Sequence, residues 1–134
     1  MNWMIMPLNR YAEFEGRSCR AEYWMFTLFL FLVVGIATAI FFAGGGLDDN
    51  GEISSFGGFW LLFFSIAYLL IFFVPSISVC VRRWHDLNHS GWMFLVFMVL
   101  GAIPVFGTLA GLANFIWFCL PGTPGANNYG EAEI

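Results

Sequence analysis

Three long stretches of this chain carry no Asp, Glu, Lys or Arg: residues 23–47, 53–81 and 87–130, the last of them 44 residues long. A bilayer hydrocarbon core of roughly 30 Å is crossed by about 20 apolar residues in helix, so each stretch is long enough to span it. The pattern predicts an all-α integral membrane protein forming one domain, residues 1–134. Three transmembrane helices are expected at 24–43, 59–81 and 92–120. Between them lie a cytoplasmic or interfacial segment (1–22), an outside loop (44–58), a cytoplasmic loop (82–91) and a tail (121–134).

The third span is the ambiguous one, because Gly101, Pro104, Gly107 and Gly111 interrupt it. As one helix, 92–120 would reach roughly 43 Å, whereas the two arms of a hairpin broken at Pro104 would measure roughly 18 and 24 Å, too short to cross. A single span kinked at Pro104 is therefore expected, the alternative being a helical hairpin that gives four membrane segments. In the second span Pro75 predicts a kink, with Ser76 and Ser78 beside it to satisfy freed carbonyls.

Composition agrees with a lipid environment: 60% of residues are hydrophobic, 10% are charged, and there are 17 Phe and 6 Trp. The placement of charge says more than its total. All five basic residues are Arg (Arg10, Arg17, Arg20, Arg82 and Arg83), in two segments, while Asp48, Asp49 and Glu52 occupy the loop between them. By the positive-inside rule the N-terminus and the loop after the second span are cytoplasmic. The acidic tail is compatible with an outside C-terminus. Residues 37–39 look like a signal-peptidase site, but they lie inside an uncharged run much longer than a signal core, so the first span is expected to be retained. Cys19, Cys80 and Cys119 form no CxxC pair and are expected to be small apolar fillers.

Residues 1–15 mix apolar and charged side chains as an interfacial segment would. The first span places Gly35, Ala39 and Ala43 at steps of four, and the third carries Gly107 and Gly111; such small-residue stripes allow close helix packing in lipid. Loop 44–52 has three acids without the Gly-spaced DxDxDG pattern, and predicts a solvated turn rather than a calcium site.

Three polar blocks stand in order: Phe14-x-Gly16-Arg17-Ser18-x-Arg20-x-Glu22-Tyr23-Trp24, then Arg82-Arg83-x-His85-Asp86-x-Asn88-x-Ser90-Gly91-Trp92, then Pro121-Gly122-Thr123-Pro124-Gly125-x-Asn127-x-Tyr129-Gly130. With their hydrophobic spacers they resemble the family called domain of unknown function 805 over essentially the whole chain. The resemblance implies a small multi-pass protein of the bacterial inner membrane and no established activity. His89 and Asn128 depart from it, standing where similar proteins often carry basic side chains.

Arg17, Arg20, Glu22, Arg82, Arg83, His85 and Asp86 should meet at one membrane face. Arg–carboxylate pairing there would fix how the helix ends meet, while the alternative is a pocket of net charge +2, from four Arg and two acids, for an anion or an anionic lipid headgroup. His85 and His89 have the i,i+4 spacing of helical zinc ligands, yet residues 88–91 read as a turn that spoils it, so no metal site and no cofactor are expected.

Two readings of function compete. One is a non-catalytic helix-packing and interaction module, associating as a homo-oligomer or with a membrane-protein partner. The other is an oligomeric conduit or transporter component for ions or small molecules, which usually needs an ionisable group or a broken helix at mid-membrane. The predicted spans carry no Asp, Glu, Lys, Arg or His, which favours the module. A membrane metalloenzyme is a remote third, and nucleic-acid binding is not expected, since topology accounts for the clustered Arg.

Overall fold

The computed structural model describes residues 2–132. Five helices follow in chain order: α1 (Met6–Asn9), α2 (Arg20–Ala43), α3 (Ser55–Asp86), α4 (Met93–Gly101) and α5 (Pro104–Cys119). Two isolated bridges, Leu47 with Ile53 and Asn127 with Gly130, are the extended pairings among the described residues.

Local chemistry sets the helix starts. Cys19 caps α2, its sulfur accepting from the Glu22 amide at 3.5 Å, so this thiol does more than fill space. Ser54 caps α3 by accepting from the Gly57 amide at 3.0 Å, and its hydroxyl donates to the Gly45 carbonyl at 2.6 Å. Between these helices Asp48 Oδ1 accepts from the Asn50 and Glu52 amides, both at 2.9 Å, closing the acidic loop on its own backbone.

Helices α2 and α3 run antiparallel, joined by edge-to-face contact of Phe29 with Phe72 and by Trp60 Nε1 donating to the Ala37 carbonyl at 3.0 Å. Their 24 and 32 residues correspond to about 36 and 48 Å. Both are long and apolar enough to cross a membrane. Phe31 is 73% exposed and Leu70 is 70% exposed, and an apolar surface of this kind is stable in lipid, not in water. The α3 helix continues through Pro75; Ser76 donates to the Phe72 carbonyl at 2.6 Å, whereas Ser78 donates to the Glu13 carbonyl. Ser78 thus ties down the N-terminal segment instead of relieving the proline. Tyr11 also donates to the Leu70 carbonyl, about 18 Å along α3 from Arg82. Segment 2–15 therefore docks lengthwise on α3 rather than lying apart as an interfacial strip.

The third apolar run differs from the expected single kinked helix. It is a hairpin, with α4 of 9 residues (about 14 Å) and α5 of 16 (about 24 Å), packed antiparallel. Ile103 is extended (φ −91°, ψ 119°), as a residue before proline prefers, and Pro104 sits in the first turn of α5, where its missing N–H costs nothing. Gly107 makes the close approach possible: a Cβ there would lie 2.6 Å from the Gly101 carbonyl oxygen. At the open end Phe97 meets Trp117 edge-on, and both rings pack on Trp84, which is fully buried. The chain thus returns at Leu120 to the end of α3 from which it left.

Candidate functional site

Burial is concentrated at that end of the molecule. The buried apolar residues Trp84 and Phe118 lie beside the buried polar set Arg17, Ser18, Glu22, Ser78, Arg82, Arg83 and Asp86. Charged groups stay in such a place only when paired.

Asp86, in the last turn of α3, is the hub. Its Oδ1 accepts from Arg17 Nε at 2.9 Å and makes an ion-pair contact with Arg17 Nη2 at 2.9 Å, and its Oδ2 accepts from Arg83 Nη1. The other hydrogen bonds of these two guanidinium groups go to backbone carbonyls, while Arg83 Nε has no hydrogen-bond partner among the described residues. Arg17 Nη1 donates to Gly125 at 2.5 Å and to Gly130 at 3.3 Å, and Nη2 donates to Thr123 at 2.6 Å. Arg83 Nη2 donates to Phe118 at 3.1 Å and to Leu120, carbonyls that the end of α5 leaves without helical partners. A second pair lies alongside, Arg82 Nη1 at 3.0 Å from Glu22 Oε1, joining α3 to α2. It is a charge contact, since Arg82 directs no side-chain hydrogen bond at a partner among the described residues. The Ser18 amide donates to the Arg82 carbonyl at 3.1 Å and anchors the entry to α2.

The tail completes the arrangement. Thr123 donates through its amide (2.9 Å) and its hydroxyl (3.0 Å) to the Asp86 carbonyl, and Asn127 Nδ2 donates to the His85 carbonyl at 2.9 Å. Tyr129 stacks on the His85 ring at 4.0 Å between centroids, with 3° between planes. Gly122 lies so close that a Cβ would fall 2.1 Å from Asp86 Oδ2. Sequence reasoning gives 121–134 only as a tail and misses this docking; the regular Pro-Gly-Thr-Pro-Gly spacing is the signal available, but it names no partner.

Other expected members stand differently. Arg20 is exposed, with one long contact to the Cys119 carbonyl at 3.5 Å. Arg17, Arg82 and Arg83 against Glu22 and Asp86 make a closed set of formal charge +1, in place of an open +2 pocket. His89 does not join His85: α3 ends at Asp86, Asn88 turns left-handed (φ 58°), and His89 is exposed with its ring edge-on to Trp84 and Trp117. Among the described residues no three His, Cys, Asp or Glu side chains converge as a metal set. In the packing stripes only Gly107 touches another backbone, whereas Gly35, Ala39 and Ala43 face outward and the space at Gly111 is open.

All three polar blocks of the sequence therefore meet at one site, which makes them the elements to compare with known proteins. Residues 11–131 match the family described as Protein of unknown function (DUF805). The chain is 36% identical over 131 residues to Inner membrane protein YhaI of Escherichia coli K12, covering 98% of this chain and 94% of that one. To Inner membrane protein YhaH of the same strain it is 34% identical over 130 residues, covering 97% and 94%. No solved structure matches. A match spanning nearly the full length, with relatives covered almost end to end, places this chain in the DUF805 family.

Proposed function

We propose that this protein is a non-catalytic module of the bacterial inner membrane, its N-terminus cytoplasmic, which associates laterally with a second copy of itself through the outward face of α2. The observation that carries this reading is the division of labour on that helix. Ala37, which is buried and accepts from Trp60, lies on the α3 side. Gly35 and Ala39, two residues either way, are rotated about 200° from it and face outward, with open space where a Gly35 Cβ would stand. Small residues on a lipid-facing surface let a second helix backbone approach, and dispersion then does the work that hydrophobic burial does in water. The Arg-bearing face supports a cytoplasmic N-terminus, and the inner-membrane relatives support the compartment. In a variant without the three native cysteines, Ala39→Cys is expected to cross-link into a dimer on mild oxidation in native membranes. Leu62→Cys, exposed on α3, should not, and adding Gly35→Leu to Ala39→Cys should abolish the product. Equal cross-linking at positions 39 and 62 would sink the proposal.

A further inference from the structure

A groove of about 510 Å³ runs between α3 and α4, and none of the Arg, Glu or Asp side chains of the ionic cluster lines it. One wall is a stripe of α3 at steps of four, Phe73, Ile77, Val81 and His85, which changes from apolar to polar along its length. The facing wall is Phe94, Leu95 and Met98 of α4, and Phe14 closes one edge. Ser90 and Trp92 line the same end as His85. Phe73 is 53% exposed and Met98 is 54% exposed, so the groove opens sideways onto the apolar surface that faces lipid.

His85 gives the polar end a definite character. Its Nδ1 lies 3.2 Å from the Gly16 carbonyl oxygen, which can only accept, so the proton is on Nδ1 and Nε2 carries a lone pair. That Nε2 points toward Gly91, where a Cβ would stand 3.1 Å from it, and has no hydrogen-bond partner among the described residues. Tyr129 stacks flat on the ring and holds this orientation. From Phe73 to His85 the stripe covers about 18 Å, while one leaflet of hydrocarbon is about 15 Å deep. An apolar trough of leaflet depth, open to the bilayer and ending in a fixed acceptor at the helix-end face, matches a bilayer lipid.

We propose that this groove is a lipid site holding one acyl chain, with a headgroup ammonium or hydroxyl donating a hydrogen bond to His85 Nε2 beside Ser90. The site is independent of the α2 face, so dimer formation and lipid retention can fail separately. The test uses the full chain in nanodiscs of equal parts phosphatidylethanolamine, phosphatidylglycerol and phosphatidylcholine, released for native mass spectrometry. The choline headgroup has no N–H or O–H donor and serves as the internal reference.

The wild type is expected to retain one lipid, with at least fivefold preference for a donor-bearing headgroup. The ethanolamine and glycerol arms separate the ammonium source from the hydroxyl source. His85→Asn keeps a donor for Gly16, and His85→Phe keeps the stack on Tyr129; both lack Nε2, and each should retain the lipid without the preference. Leu95→Trp fills the groove from its rim without touching the ionic cluster, and should retain no lipid while melting as the wild type does. Retention unchanged in Leu95→Trp overturns the site, and selectivity unchanged in either folded His85 variant overturns the role of the acceptor.

Discussion

Replacing Asp86 by Asn is the sharpest perturbation of the ionic cluster, because the two side chains have nearly the same shape and only the charge is lost. Arg17 and Arg83 each engage one oxygen of the Asp86 carboxylate, and the side chains of both are at most 1% exposed. In Asp86→Asn two guanidinium groups would face a neutral amide with no water to solvate them. Removing one member of a buried ion pair costs about 3 to 5 kcal/mol, most of it the penalty of the charge left behind. The carbonyls of Thr123, Gly125, Phe118 and Leu120 still accept from the two Arg, which argues for the lower end of that range. For a chain of this size that predicts a loss on the order of 10 °C in melting temperature. The control is Glu52→Gln, in the exposed loop between α2 and α3, which should shift stability by about 0.5 kcal/mol or less. Both variants are melted in the same detergent and followed by the loss of monodisperse protein on size exclusion. Equal melting temperatures would show that the cluster does not hold the helix ends together.

A reporter fused after the C-terminus should lie on the same side as one fused at the N-terminus, and opposite one inserted in loop 48–52, because the α4–α5 hairpin returns the chain to its starting face; a C-terminal reporter on the loop side would reject the hairpin. Gly122→Ala should lower the melting temperature by several degrees, since its Cβ would overlap the Asp86 carboxylate, whereas Gly111→Ala, with open space around it, should leave the melt unchanged. His89→Arg should change stability by about 0.5 kcal/mol or less, because His89 is exposed and an Arg can stack on the same two Trp rings, Trp84 and Trp117; a large loss would mean that the turn depends on the imidazole.

Much of the architecture is written in the one-dimensional pattern. Long uncharged runs specify helices and lipid because an unsatisfied backbone is intolerable in hydrocarbon, and that constraint acts on any chain whatever its partners. The same holds for the turn at Asn88, a matter of a few neighbouring residues. The Arg and acid residues of the polar blocks can be read as one face from topology alone. Which Arg pairs with which acid cannot, and Arg20 stands outside a cluster in which sequence reasoning includes it. Pro104 shows where local information ends. A proline permits either a kink or a reversal, and the choice lies with distant groups: Gly101 against Gly107, Trp84 against Phe97 and Trp117, and Arg83 waiting for the carbonyls at the end of α5. The docking of the tail on Asp86 and His85, and the open lone pair of His85, are decided at the same level. Sequence alone determined what must be helical and what must face lipid, since each of those requirements is met within a single segment. Tertiary structure decided direction and pairing, because the side-chain hydrogen bonds of Arg17 and those of Arg83 Nη2 all reach groups that lie 35 or more residues away along the chain.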